Sequence, residues 1–486
     1  MTKSLLQVLN GIQYRIVGVL PAEITEISFD TRSLANGSLY IAVRGQNLDG
    51  HNFLQDAVAK GAAVAMVEEV RDELPIPQIV VADSKAALSR AAANFFDNSS
   101  TKLKVVGITG TNGKTTITTL LKNILLTAQK GVGTIGTLGY SIDRFEQSLN
   151  LTTPDSLTLQ RLLHEMVRKN VEYVIMEVSS HSLALKRVED IHFSAAAFTN
   201  ISQDHLDFHK TLDDYARTKT LLFGKVDPLG FLVCNRDDVY ADWFVRAANA
   251  PVLTFSLEGT ADFSWSGATQ FTNGINGRIQ SPHGLIEIQS ALSGKFNMQN
   301  ILAAVAVASR LGIQPAVISA AFRTIRFIPG RLQEITRPGY ARLFVDYAHT
   351  PDAIRNALSA LREITNPEGR LIALFGCGGN RDRNKRPKMA RAVDDLADFA
   401  VLTTDNPRFE KPSDIISDAV PGFTGRIPHQ IIEDRKEAIY WVIDHATDKD
   451  VVALLGKGHE TYQEIAGKRY PFDEVQIVKE FLDQKK

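Results

Sequence analysis

Along the chain, short runs of β-branched and small apolar residues alternate with stretches whose apolar positions recur at helical spacing. Near the N-terminus, SLYIAV (38–43), AAVAMV (62–67) and PQIVVAD (77–83) read as strands, and LQDAVAKGA (54–62) as a helix stopped by glycine. KVVGIT (104–109) predicts a strand that enters a glycine loop and then a helix from about Lys114 to Gln129. EYVIMEVSS (172–180), AAAFTNIS (195–202) and GFLVCN (230–235) are further apolar runs separated by helical segments, and 252–292 is β-rich, an insertion or a sheet extension. The pattern resumes in ARLFVDYA (341–348), RLIALFGCGG (370–379), FAVLTTDNP (399–407) and DVVALLGKGHE (450–460). Such βα alternation predicts an α/β protein with mostly parallel sheets covered on both faces. Polar DNSSTK (97–102) reads as a linker, and IPGRLQEI (328–335) as a second boundary. The expected domains are therefore 1–100, 101–335 and 336–486, with ligands at the carboxyl ends of the strands.

Composition narrows the function classes. The 486 residues carry 54 Lys+Arg against 55 Asp+Glu, a net charge of −1, so no nucleic-acid partner is expected, because phosphate tracking needs a large basic excess. A hydrophobic fraction of 44% with 22% charged residues excludes a disordered, collagenous or coiled-coil chain. The two cysteines, Cys234 and Cys377, stand in no metal-type spacing, which excludes a disulfide scaffold and fits a reducing compartment. The first twenty residues lack a signal-peptide pattern, and no run reaches the ~18 apolar residues of a membrane span. A cytoplasmic protein with no membrane partner is the expectation.

The chemistry begins at Gly110-Thr111-Asn112-Gly113-Lys114-Thr115-Thr116. A strand, a glycine loop and a helix start place several backbone N–H groups and a helix dipole on one anion. Lys114 supplies a point charge for β/γ-phosphates and Thr115 a hydroxyl for Mg²⁺, so the loop implies ATP or GTP but not its use. Glu177 ends an apolar strand beside that loop, where a metal ligand or water-orienting group belongs. Asp204-His205-Leu206-Asp207-Phe208-His209 gathers four possible ligands after a third apolar strand. Lys219, by spacing alone, is an amphipathic-helix lysine.

Taken in order, GTNGKTT, EVSSH, FTNISQDHLDFH, FNMQN, VDYAHTPDA, GCGGNRD and GKGHE resemble the Mur ligases, as does the N-terminal SFDTRSLANGSLYIAVRGQNLDGHNF. The resemblance covers nearly the whole chain. It implies an N-terminal domain for a uridine nucleotide, a central P-loop ATPase and a C-terminal Rossmann-like domain that binds an amino acid. The implied activity is ATP-dependent amide ligation in peptidoglycan precursor synthesis, by a monomer using two Mg²⁺ ions. Lys219 matches a lysine that is carbamylated in the family, His205 a ligand of the second metal, and Thr115 and Glu177 ligands of the first. With Lys114 these form the expected catalytic set. Asn300 and Arg331 match adenine and phosphate contacts, and Asp346 a ribose contact. Phe29, Thr31 and Gln46-Asn47-Leu48 match the uridine end, and Thr152, Thr153, Ser179 and Arg187 the muramoyl-dipeptide. Thr31 stands where serine is common, which keeps a hydroxyl, whereas Leu185 replaces a glutamine that contacts substrate.

The loop Asp405-Asn406-Pro407-Arg408 bears on the amino acid added, and resembles that of the meso-diaminopimelate branch. Diaminopimelate carries a distal carboxylate that lysine lacks, and a guanidinium grips a carboxylate through a planar two-point fork. Arg381 offers a second fork, Glu460 an acceptor for ammonium, and Gly456 close backbone approach. The alternatives are a lysine-adding or other Mur- or folylpolyglutamate-type ligase, or, in another class, a nucleotide-switch binding protein.

Overall fold

The computed structural model describes residues 2–45, 48–149, 151–271 and 274–485; the expected uridine-site residues Gln46 and Asn47 lie outside them. Three sheets organise the chain. The N-terminal one has five strands, in the spatial order Arg15–Val17, Gln78–Val80, Ala62–Val67, Ser38–Ile41 and Ile27–Ser28, parallel except at the first pair. Helix Ser84–Phe95 packs its Ala87, Leu88, Ala91 and Phe95 on this sheet, and its N-terminus is capped by Asp83, which accepts from the backbone of Lys85 and Ala86.

The central sheet has eleven strands. Its middle is parallel: β1 (Lys104–Thr109) lies between β2 (Tyr173–Glu177) and β3 (Phe193–Phe198). All three are buried along most of their length, as their continuous apolar runs require, and separate cores fill the two faces. Helix α1 (Lys114–Thr127) follows β1 and buries Ile117, Leu120, Leu121 and Ile124, a stripe at helical spacing. Helix α2 (Leu212–Gly224) follows β3. The β-rich stretch extends this same sheet: strands Phe263–Phe271, Gly274–Ser281 and Gly284–Ser290 add to one edge. At the opposite edge lies a feature the sequence did not suggest, the antiparallel strands Val132–Gly136, Gly139–Ile142 and Phe145–Gln147.

The third sheet has six strands, in the order Gln333–Ile335, β4 (Arg342–Asp346), β7 (Val451–Leu455), β5 (Leu371–Cys377), β6 (Phe399–Thr404) and His429–Ile431, parallel except at the first pair. Gln333–Ile335, on the N-terminal side of the expected boundary at 335/336, is hydrogen-bonded into this third sheet. The polar stretch 97–102 is not an exposed tether. Ser99 and Ser100 are buried, Ser99 Oγ lies 3.2 Å from His164 Nδ1, and Ser100 Oγ accepts from the backbone N–H of His192. Serine hydroxyls here satisfy groups far along the chain, so polarity did not mean exposure. Among the described residues, no helix is long and apolar enough to cross a membrane.

Candidate active site

The glycine loop curls tightly between β1 and α1. Gly110 and Gly113 have φ of 143° and 90°, a region open to glycine. A Cβ on Gly110 would lie 1.8 Å from Thr199 Oγ1, and one on Gly113 2.4 Å from Asn300 Oδ1. The segment after β3 clamps the loop from the side: Thr199 Oγ1 donates to the Asn112 carbonyl at 2.6 Å, and Asn200 Oδ1 accepts from the Asn112 N–H at 3.0 Å. Lys114 opens α1 and donates to the carbonyls of Gly110 and Thr111 at 2.9 and 2.7 Å. Burial pulls its ammonium below the usual lysine range, against the attraction of Glu177 and Asp204.

Glu177, at the end of β2, is buried and fully engaged. Its carboxylate accepts from the Thr115 hydroxyl at 3.1 Å, and from the Thr137 N–H and hydroxyl, both at 2.9 Å. Arg331 donates to Thr115 Oγ1 at 3.2 Å and lies 4.8 Å from the centre of the Tyr347 ring. Lys219 lies on α2, 1% exposed, and donates to the Gly110 carbonyl at 2.8 Å. Burial, and then the neighbouring Lys114 cation, hold its amine well below the usual lysine range, with Asp204 opposing. An amphipathic-helix reading would have put this lysine in solvent.

His205 has a left-handed backbone, φ 55°, and packs edge-on to His181, ring centres 4.8 Å apart. Burial lowers His205 to about 3 and His181 to about 4, so both imidazoles are neutral near pH 7. Asp204 carries the contact to the third sheet. It lies 3.5 Å from Lys385 Nζ and 3.9 Å from His349 Nε2, and its carboxyl is held below the usual range despite burial, His205 and Lys385 outweighing desolvation. Further bridges join the same two domains: Asn112 Nδ2 donates to Asp352 at 3.0 Å and Lys388 Nζ to Gln203 at 2.7 Å.

Across the cleft, Arg408 follows β6, again left-handed at φ 53°, and donates to the Gly379 carbonyl at 2.8 Å, with Glu464 3.4 Å from its Nε. Asn406 Nδ2 donates to Glu460 Oε2 at 2.8 Å. Lys457, fully buried, donates to Asn406 Oδ1 at 3.2 Å and Glu460 Oε2 at 2.9 Å. Asp405 Oδ1 is buried with no hydrogen-bond partner. Burial raises the Glu460 carboxyl, with Asp405 adding to the rise and Lys457 opposing it.

One cleft receives both sides. The phosphate loop from Thr111 to Thr115, Glu177, His205 and Lys219 face Arg381, Asp405, Asn406, Arg408, Gly456 and Glu460 across it. Thr152 and Ser179 also line it, as does Arg331. Thr116, Asn300 and Asp346 line an adjoining pocket that shares Asn112, Gly113 and Arg331 with the cleft. Asp346 is tied to the backbone N–H groups of Leu332 and Ala348 at 2.7 and 2.8 Å. Thr153 is buried, its hydroxyl donating to the Glu177 carbonyl at 2.9 Å, while Arg187 donates to the Thr153 carbonyl at 3.1 Å. Leu185 ends the short helix that Ser179 caps. Pro407 does not line the cleft, and neither do Phe29, Thr31 and Leu48, which sit in the N-terminal domain; Thr31 is buried and Leu48 is 70% exposed.

Sequence reasoning passed over Thr137, His349, Lys385 and Lys457. Lys457 stood inside GKGHE and Lys385 four residues after Arg381, but nothing local marks either as buried. Thr137 carries no signal, because its role depends on the unforeseen antiparallel strands. Among the described residues, no three or more His, Cys, Asp or Glu side chains gather as a ready-made metal cage.

The comparisons agree with this geometry. Residues 108–308 match the model of the Mur ligase middle domain, 330–458 that of the Mur ligase glutamate ligase domain, and 23–96 that of the Mur ligase family catalytic domain. The UDP-N-acetylmuramoyl-L-alanyl-D-glutamate–2,6-diaminopimelate ligase of Caldanaerobacter subterraneus subsp. tengcongensis is 40% identical over 98% of both chains. That of Aquifex aeolicus is 39% identical over 97% of this chain and 96% of its own. A solved structure of a ligase of the same name superposes with a TM-score of 0.70 at 32% identity, covering 100% of this chain and 99% of the other.

Proposed function

Because the chain belongs to the Mur ligase family, we propose that it is an ATP-dependent ligase joining meso-2,6-diaminopimelate to UDP-N-acetylmuramoyl-L-alanyl-D-glutamate, a step in peptidoglycan precursor synthesis. One observation carries this reading. A single cleft holds a phosphate loop on one wall and two guanidinium groups with a buried acid cluster on the other. A phosphate loop alone would serve a switch. An amino-acid-shaped charge pattern opposite it serves a condensation.

In the reaction, the γ-phosphoryl group of ATP passes to the free carboxylate of the D-glutamyl residue, giving an acyl phosphate and ADP. The neutral amine of diaminopimelate then attacks the acyl carbon, phosphate leaves with the bonding pair, and the nitrogen gives up a proton to solvent to leave the amide. Lys114 neutralises the transferring group, while Thr199 and Asn200 keep the loop curled around it. Asn300, Arg331 and Asp346 line the space for adenosine, and Arg331 also reaches the loop through Thr115. Arg381 and Arg408 take the carboxylates of the incoming amino acid, and Glu460 and Asp405 its ammonium. The glutamyl end lies near Thr152 and Ser179, and the uridine end belongs to the Phe29–Thr31 region.

The donor set fits Mg²⁺. The Thr115 hydroxyl and Glu177 carboxylate stand 3.1 Å apart beneath the loop, and Mg²⁺ is held by one or two protein oxygens together with substrate phosphates. When bound, the ion supplies charge neutralisation on the phosphoryl oxygens. A second ion needs an acceptor beside the neutral His205, and Lys219 provides one only after carbamylation. Its amine, whose neutral form burial favours, would attack CO₂, lose a proton and become an N-carboxylate. The protein acts as a monomer in the cytoplasm on this reading.

A phosphate-release assay with the UDP-muramoyl-dipeptide and a panel of amino acids tests the proposal. Release that depends on both the dipeptide and diaminopimelate is the expected result. Preference for lysine would move the chain to the other branch, and hydrolysis indifferent to any amino acid would favour a switch.

A further inference from the structure

Behind the amino-acid wall lies an ion pair with no part in the chemistry so far. Arg435 opens helix Arg435–His445 and Glu474 opens helix Glu474–Gln484, and neither helix carries a cleft residue. Both side chains are completely buried, with Arg435 Nε 2.7 Å from Glu474 Oε1. The other carboxylate oxygen, Glu474 Oε2, has no partner, so Arg435 is the group that holds this acid. Removing two charges from water is costly, and such a pair is weak evidence for stability as such. Its remaining contacts say what it does. Nη2 donates to the Leu455 carbonyl at 2.8 Å, and Nη1 reaches the Thr404 carbonyl at 3.4 Å.

Those two carbonyls are the last residues of β7 and β6. The next residues are Gly456 and Asp405, which begin the two loops that form the amino-acid pocket. The strands are not neighbours, because β5 runs between them, so no ladder hydrogen bond fixes one loop end against the other. The guanidinium spans that gap. It also borders Gly456, where an added Cβ would sit in ordinary contact, 3.7 Å from the Asp405 carboxyl and 3.9 Å from Arg435 Nη2. On the cleft side, Lys457 crosslinks the same loops through Asn406 and Glu460.

We propose that Arg435, held by Glu474, is a positioning residue that sets the spacing between the Asp405–Arg408 and Gly456–Glu460 loops and thereby the affinity for the incoming amino acid. The planar fork is what makes this possible: one cation reaches two carbonyls and a carboxylate at once, which an ammonium on a flexible stem does not. The pair acts through loop geometry and touches no reactant. The proposal rests on the ligase reading for the identity of the amino acid, but not for its logic.

The test uses the full-length protein and three variants: Arg435→Lys, Glu474→Gln and the double substitution Arg435→Met with Glu474→Leu. The double variant removes both charges together and leaves no buried ion unpaired. The KM for the amino acid is expected to rise about tenfold or more in the double variant and less in Arg435→Lys, the size of effect that sub-ångström misplacement of a binding group produces. The KM for ATP should stay within about twofold, since Arg435 lies on the far side of the wall from the phosphate loop. Glu474→Gln, which keeps a hydrogen-bond acceptor for Nε, should fall between the parent and Arg435→Lys. An amino-acid KM unchanged in a folded double variant overturns the proposal, as does a parallel rise in both KM values. If the double variant does not fold, an unchanged KM in Arg435→Lys does the same. The parent protein separates this from the function itself: if it uses another amino acid, the ligase specificity is wrong, and the brace is then tested with the amino acid that the parent accepts.

Discussion

The two walls of the cleft are built on different principles. The nucleotide wall is a backbone construction whose supporting side chains have partners within the wall: Glu177 accepts from Thr115 and from both donors of Thr137, Lys114, Lys219 and Thr199 donate to loop carbonyls, and Asn200 accepts from the Asn112 N–H. The amino-acid wall is a charge construction with groups to spare. Asp405 Oδ1 has no hydrogen-bond partner and only Lys457 Nζ at 3.7 Å to balance it, Glu460 is pushed up by burial and by Asp405, and Arg408 is held in a left-handed conformation. A wall whose side chains are tied to one another, leaving the helix-start N–H groups to face the cleft, suits a ligand common to many enzymes and gripped by main chain. An unsaturated one suits a ligand that must be told apart from its analogues, because buried unpaired groups penalise whichever amino acid fails to meet them.

That contrast can be broken from either side. Lys114→Ala should cut ligation by roughly a hundredfold or more while the melting temperature stays near the parent value, since one charge opposite the transferring group is lost. Turnover close to the parent would mean that the wall is not where phosphate is handled. Arg408→Ala should raise the diaminopimelate KM by about ten- to a hundredfold, the worth of a charge-assisted bond, and leave the ATP KM unchanged. Equal losses for both substrates would erase the distinction between the walls.

A third prediction concerns Lys219. In CO₂-depleted buffer the rate should fall, and bicarbonate should restore it. The amine must be neutral to react, so the bicarbonate requirement should grow as pH falls. Lys219→Ala should not respond to bicarbonate at all. A bicarbonate-independent rate across pH 6–9 in fully decarbonated buffer would remove the carbamate from the account.

The smallest effect is on stability. Burial lowers His181, His349 and His459 to about 4, below the 6.5 of an unfolded histidine. A depressed folded value means that the unfolded chain binds more protons, so stability is full above pH 6.5 and is lost as pH falls towards 4. Thermal melts across that window should show the decline, and His459→Asn should flatten it.

How far the sequence could be read follows from where each signal resides. The central strands of the three sheets were legible because buried parallel strands are continuous apolar runs, unlike the short edge strands Arg15–Val17, Ile27–Ser28 and His429–Ile431, and the phosphate loop because its spacing is set by local backbone curvature. The strands Val132–Gly136 and Gly139–Ile142 were not, being glycine-containing and apolar only in part. Lys219 illustrates the limit at the site. Its spacing on α2 is that of a surface residue, and only the closeness of the Gly110 carbonyl, 109 residues away in sequence, makes it a buried amine. Lys385 and Lys457 were missed for the same reason, since their partners come from other strand ends. Leu185 ends a short helix and does not line the cleft, and nothing in the structure explains its standing where a glutamine was expected.

The two junctions of the chain differ in a way that bears on motion. At the first, the buried Ser100 takes the backbone N–H of His192, Ser89 takes that of Asp190, and Leu157 of the middle domain packs into the N-terminal core. At the second, Asn112, Gln203 and Asp204 meet Asp352, Lys388 and Lys385 through side chains at the rim of the cleft. The first junction is thus tied through buried backbone groups and the second through side chains beside the cleft, of which Asp204 and Lys385 are buried and Lys388 is exposed. Calorimetry at rising ionic strength should split one endotherm into two, the smaller belonging to residues after about 330.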